Sequence, residues 1–119
     1  MARPYITSEK ATEPELRPWG GTVNWLTGID KPNQCATLSS GIVCIAQGGA
    51  HDKHCHENSE ELLYVVQGKG VQTIYYEDGT TEKFDIGPGD VIWVPRGVYH
   101  STHNFEKEDC KLLAVYTER

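Results

Sequence analysis

Three side chains suited to binding a metal lie close together in the stretch GGAHDKHCHENSEELLYVVQGKG: His54, His56 and Glu61. Imidazole nitrogens with a carboxylate oxygen form a mixed donor set that suits a divalent transition ion. The two histidines are two positions apart, and strand residues so spaced share a face. The polar segment Glu57-Asn58-Ser59-Glu60 reads as a four-residue loop, after which Glu61 opens an apolar run. This predicts a hairpin with His56 opposite Glu61 and His54 opposite Leu63, facing Cβ atoms being ~4.5–5.5 Å apart. Half a metal shell would converge there. The same alternation turns Cys55 away and gives Glu60 the wrong register. A bare His-x-His is more often a pair of solvated histidines. Glu61 weighs against that reading, because its same-face successors Leu63 and Val65 are apolar and a carboxylate in such a row must be paired, hydrogen-bonded or metal-bound. A second stretch, GPGDVIWVPRGVYHSTHN, places His100 at the start of a strand after the turn Pro95-Arg96-Gly97. Local geometry alone does not bring it to the other three. By parity His51 and His103 fall off the metal face, at the surface or at a pocket mouth.

The elements that must position these residues are short. The runs VNWLTG, CATLSSGIVCIAQGG, ELLYVVQGKG, VQTIYYEDGT, TEKFDIGPGD, VIWVPRGVYH and KLLAVYTER are separated by turn residues, and most of the 12 glycines fall between them. Such spacing predicts an all-β sandwich or barrel. Glu77-Asp78-Gly79-Thr80 is a hairpin signal, since Asp-Gly supplies the positive φ of a tight turn. Residues 1–22, polar and with prolines at 4, 14 and 18, read as an extended arm, and residues 23–119 as one barrel domain.

Composition narrows the function. The 119 residues carry a formal charge of −6 with no Lys/Arg run, which disfavours nucleic acid and anionic lipid. No apolar run has the ~20 residues a membrane helix needs, and the N-terminal stretch has no signal-peptide core, so a cytoplasmic location is expected. The cysteines at 35, 44, 55 and 110 are then expected as free thiols. No Gly-rich phosphate loop and no Ser-His-Asp order is present, which disfavours nucleotide chemistry and covalent hydrolysis.

The two histidine stretches resemble the paired signature motifs of the cupin superfamily. The first reads Gly48, five residues, His54-Cys55-His56, four residues, Glu61, six residues, Gly68. The second reads Gly89, five residues, Pro95-Arg96-Gly97, two residues, His100, three residues, Asn104. The resemblance covers residues 48–104 and implies an all-β double-stranded β-helix, a jelly-roll barrel in which His54, His56, Glu61 and His100 hold one divalent transition metal: Fe, Mn, Ni, Zn, Co or Cu. In cupin-like registers Gln72 and Ile74 point inward. Gln72 would then contact a substrate or a metal-bound water, or else be satisfied by a neighbouring strand. Gly68, Gly89, Gly97 and Asn104 read as structural.

A bound ion with open positions would favour small metabolites that chelate through oxygen: hydroxy acids, keto acids, enediols or catechol-like compounds. The resulting expectation is a metal-dependent enzyme of dioxygenase or lyase type. Glu61 would serve as a base, and Tyr99, His103 or Gln72 would assist. Thiol dioxygenases of the superfamily typically lack the carboxylate ligand, so retention of Glu61 disfavours that branch. A non-catalytic binding or sensing module is one alternative. A sugar-derivative isomerase or epimerase is another, suggested by Arg17-Pro18-Trp19-Gly20, which resembles an element preceding the cupin core of some sugar-phosphate isomerases. Trp19, Trp25, Tyr99 and Tyr116 fit a pocket, an interface or a core. The family resemblance and the exposed edges of a small barrel imply a homodimer, its N-terminal arm pairing with a second subunit.

Overall fold

A computed structural model describes residues 5–117. It holds eleven strands: β1 (Glu15–Leu16), β2 (Gly21–Gly28), β3 (Asn33–Gln34), β4 (Ser39–Ile45), β5 (Ala50–His54), β6 (Glu61–Gln67), β7 (Gly70–Tyr75), β8 (Thr81–Ile86), β9 (Val91–Val94), β10 (Tyr99–His103) and β11 (Cys110–Tyr116). Seven of them form one sheet in the order β1-β2-β4-β11-β6-β9, with β3 paired to β2. The other four form the sheet β5-β10-β7-β8. Every pairing except β2–β3 is antiparallel. The two sheets face each other as a jelly roll, the all-β fold expected from the sequence.

Period-two alternation writes the core. In β6 and β11 the burial switches at every residue through Leu63, Val65, Leu112, Ala114 and Tyr116. Val23, Val43, Ile45, Ile86 and Cys110 complete the cluster, and Trp19, Trp25 and Ile92 pack on it. Each fully buried aliphatic side chain contributes about 1.5–3 kcal/mol relative to exposure. The Asp-Gly turn joins β7 to β8 as expected, with Gly79 at φ 88°.

The described part of the N-terminal arm, from residue 5, folds back on its own chain. Glu9–Ala11 form a 3-10 turn, and β1 pairs with β2. The Asn24 amide donates to the carbonyls of Glu9 and Thr12, and Lys111 meets Glu9 at 3.2 Å.

The predicted hairpin between the histidine strand and the Glu61 strand does not form. β5 pairs with β10, His54 standing opposite His100, whereas β6 pairs with β11 and β9. Residues 55–60 therefore cross from one sheet to the other.

Candidate metal centre

That crossing sets the geometry of the site. His54 and His100 are a cross-strand pair on the inner face of the four-stranded sheet. Glu61 reaches them from the inner face of the opposite sheet, and His56 sits in the connection between the two. The ligands thus meet across the barrel interior rather than along a ladder. One donor atom from each of His54, His56, Glu61 and His100 lies within 4.8 Å of all the others. The Oε1 of Glu61 is 2.9 Å from His100 Nε2 and 3.8 Å from His56 Nε2. His100 and Glu61 are almost fully buried.

The backbone orients the rings. His54 Nδ1 lies 2.6 Å from the Asp52 carbonyl oxygen, and His100 Nδ1 lies 3.0 Å from that of Val98. An N–H at Nδ1 donating to a carbonyl leaves the Nε2 lone pair for a metal, the usual tautomer of a histidine ligand. His100 then shows how a cation fits. Its two nitrogens face two acceptors, a carbonyl and a carboxylate, but a neutral imidazole has one N–H. A positive ion between Nε2 and Glu61 answers the second contact. Three imidazoles and one carboxylate suit a divalent transition metal and disfavour Ca²⁺ and Mg²⁺, which prefer oxygen cages. The residues present fit one such ion, the cofactor expected from the sequence.

Glu61 is tuned by its neighbours. Burial works to raise its pKa, but in the metal-free fold hydrogen bonding with His100 and Tyr116 and the electrostatic influence of the His100 and His56 rings outweigh it and hold the carboxyl below its ordinary value. A carboxylate at this depth is therefore ionised and ready to bind a cation. Tyr116 stands opposite Glu61 on β11, buried, with its ring 5.2 Å from that of His56. Sequence reasoning left its place open among core, pocket and interface. The alternation Leu112, Ala114, Tyr116 signals an inward side chain but not what it meets.

Of the two places that parity left for His51, the surface and a pocket mouth, the structure favours the second. Parity put it off the metal face, yet its ring stacks on His54 at 4.0 Å and on Trp19 at 4.4 Å. The register of β5 against β10 slips between His100 and Thr102, so that His100 faces His54 and Thr102 faces His51. Such a bulge inserts one extra residue and brings positions three apart onto one face. Burial, then the charge of His54, lowers the His51 pKa to about 3. Trp19, from the Arg17–Gly20 segment, caps this stack.

Gln72 is buried on β7 opposite Thr102, whose hydroxyl donates to Gln72 Oε1. Its Nε2 is buried without a hydrogen-bond partner. Thr102 neighbours His51 in the same cross-strand row. Gln72 thus occupies the inner face one row from His54 and His100. Tyr99 does not. It precedes His100 on β10, and alternation turns it outward, 46% exposed, beside Lys53 and Cys55. The expectation that Tyr99 moves protons at the metal has no geometry to support it. His103 stacks on the exposed Phe105 at 5.6 Å, away from the four ligands. Cys55 faces Glu57 and Tyr99, as its parity required. Asn104 is structural, its amide donating to the carbonyls of Ile45 and Glu108.

A family model described as cupin matches residues 9–118. The chain is similar to oxalate decarboxylase OxdC of Bacillus subtilis, 29% identical over 82 residues, which is 69% of this chain and 21% of that protein. An uncharacterised protein of Methanocaldococcus jannaschii is 33% identical over 112 residues, covering 93% of this chain and 76% of the relative. Acireductone dioxygenase of B. subtilis is 35% identical over 60 residues, half of this chain and 33% of that one. Among solved structures, B. subtilis oxalate decarboxylase at pH 4.6 superposes with a TM-score of 0.80 at 27% identity, over 92% of this chain and 28% of its own. The chain spans about a fifth to a third of the oxalate decarboxylases it matches. One solved B. subtilis oxalate decarboxylase is described by its Mn(II) centres.

Proposed function

Since the chain belongs to the cupin family, and His54, His56, Glu61 and His100 meet in one cluster, we propose that it is a metal-dependent enzyme acting on a small oxygenated metabolite by dioxygenase or lyase chemistry. The observation that carries this reading is the convergence of His54, His56, Glu61 and His100 from two sheets, with every donor atom within 4.8 Å of the others. Similarity to an oxalate decarboxylase and to an acireductone dioxygenase supports the same substrate class: compact molecules rich in oxygen. Hydroxy acids, keto acids, enediols and catechol-like compounds fit it.

The protein's own groups divide the work. Three histidines and Glu61 hold the ion, which when bound supplies Lewis acidity or, if redox-active, chemistry with dioxygen. A divalent ion with one carboxylate leaves a net charge of about +1, which favours anionic oxygen ligands. Glu61, with a second carboxylate oxygen beyond the one that holds the ion, would serve as the base. The Gln72 amide, buried with a donor to spare, offers a hydrogen bond to a substrate oxygen. The apolar residues Leu63, Val65 and Ile92 wall the interior against water. The four cysteines are free thiols, which suits a reducing, cytoplasmic setting.

Elemental analysis of protein purified without added metal, followed by oxygen uptake and carbon dioxide release with a panel of oxygen chelators, tests the reading. One transition ion per chain with turnover of at least one such compound is expected. A chain with no bound ion, and no spectral response to any oxygen chelator after metal addition, overturns it. Tight chelator binding without turnover moves the protein to the binding or sensing class. A second reading, a sugar-derivative isomerase, draws on 33% identity over 63 residues to glucose-6-phosphate isomerase of Thermococcus kodakarensis. Isomerisation of a phosphosugar without oxygen uptake would favour it.

A further inference from the structure

Strand β8 breaks the alternation that writes the core. Phe84 stands opposite Gln72 and Ile86 opposite Gly70, so both point to the inner face of their sheet. Ile86 is buried, but Phe84 is 45% exposed, open like its outward neighbours Lys83 and Asp85. The two sheets have parted here. β8 and β9 are the edge strands of their respective sheets, and between them lies a cavity of about 360 Å³. Gln72, Phe84 and Ile86 line it from one sheet and Ile92 from the other. Its inner end is close to the metal centre. Gln72 shares a face with Ile74, the residue opposite His100, and strand positions two apart are separated by ~7 Å. Ile92 lies in the same way one row from Val94, the residue opposite Glu61.

We propose that this cavity is the subsite for an uncharged, apolar tail on the substrate, whose chelating oxygens go to the metal centre. The inference rests on the reading of His54, His56, Glu61 and His100 as that centre. Gln72 marks the junction of head and tail. Its side chain is 1% exposed, lines the cavity, and has an Nε2 with no hydrogen-bond partner among the described residues. A buried donor left unmade is costly, and an oxygen of the substrate's head satisfies it. Beyond Gln72 the walls offer a ring and methyl groups, from Phe84, Ile86 and Ile92. Small-molecule sites have this composition, mostly apolar with a few placed polar groups, and ~300–1,000 Å³ of space.

Charge decides what the tail is not. The ionisable residues lining the cavity are Asp85 and Asp90, and no cation stands with them among the described residues. Two carboxylates at the rim repel a second carboxylate or a phosphate, while an ion at the centre attracts anionic oxygens. The two ends thus orient one molecule, oxygens inward and hydrocarbon toward the β8–β9 opening. A short alkyl chain or a single aromatic ring suits the space. A dicarboxylate or a phosphosugar meets like charge there.

Calorimetric titration of the Mn(II)-loaded full chain with three keto acids of one chelating head tests the proposal. Pyruvate has no tail. In 2-oxo-4-phenylbutanoate and 2-oxoglutarate a two-carbon linker ends in a phenyl ring and in a carboxylate. The phenyl acid is expected to bind at least tenfold tighter than pyruvate, and 2-oxoglutarate no tighter than pyruvate. Phe84→Asp and the milder Phe84→Ala, each checked for folding by far-UV circular dichroism, are expected to cut the phenyl-to-pyruvate ratio severalfold. The ratio is the readout, because a general loss of packing moves both acids together. Binding of none of the three acids would overturn the reading of the metal centre and this inference with it. Binding of pyruvate with no gain from the phenyl tail, an equal gain from the carboxylate tail, or a gain that both variants keep would overturn this inference and leave the metal centre standing.

Discussion

Glu61 concentrates the chemistry of a residue in one carboxyl: burial alone would neutralise it, and its neighbours keep it charged. Tyr116 is one of those neighbours, so Tyr116→Phe removes a hydrogen bond while keeping the ring against His56. Metal affinity is expected to fall roughly 10- to 100-fold, as for other groups that orient a ligand. Competition titration against a chromophoric chelator measures this, and an unchanged affinity would mean that the phenol only packs. His51 adds a pH dependence. Its pKa in the metal-free fold is about 3, below the ordinary 6.5. The unfolded chain therefore binds a proton that the fold refuses throughout that window. This contribution to stability is present above pH 6.5 and is lost as pH falls toward 3. His51→Phe keeps a ring between Trp19 and His54 and cannot titrate. Urea melts of metal-free protein are expected to show a flatter slope for the variant, by up to about 1.4 kcal/mol per pH unit.

At the scale of elements, the turn before β10 ties the two motifs together. Gly97 N–H donates to the His56 carbonyl at 2.9 Å, and Val98, one residue on, supplies the carbonyl that orients His100. Gly97 has φ 74°, and a Cβ built on it would meet nothing closer than Glu57 Oε2 at 4.0 Å. The cost of Gly97→Ala is therefore conformational, about 1–2 kcal/mol. Thermal unfolding should show that loss together with weaker metal binding, because both His56 and His100 hang from this turn. Gly68 differs: a Cβ there would collide with the Asp109 carbonyl oxygen, so Gly68→Ala should cost more than Gly97→Ala. The Pro-x-Gly spelling made the turn before β10 legible. The crossing of residues 55–60 was not legible, because a polar four-residue segment serves a hairpin loop and a sheet-to-sheet connection equally well.

For the whole molecule, an ion held by both sheets is a cross-link. Ligands from β5 and β10 on one side and β6 on the other can share it only in the folded chain. Metal binding is then folding free energy, about 2.7 kcal/mol at a concentration one hundred times Kd. Differential scanning fluorimetry should show Tm falling by roughly 10 °C on chelation and recovering when the metal is restored. His100→Ala is expected to abolish that response. A chelator shift that survives the substitution would place the stabilising ion elsewhere.

Two motifs spelled at fixed spacing carried the resemblance that implied the jelly roll and the four candidate ligands; read alone, the residues gave an all-β sandwich or barrel, because a turn glycine, an alternating strand and a histidine pair leave only local marks in a sequence. Tertiary structure decided which strands pair, and with that the meeting of the ligands across the barrel, the inward turn of His51 and the hydrogen bond from Tyr116 to Glu61. These depend on sheet order and on one register slip between β5 and β10. Neither has a local residue signature, since backbone hydrogen bonds between strands are chemically alike and are selected only when the two faces pack.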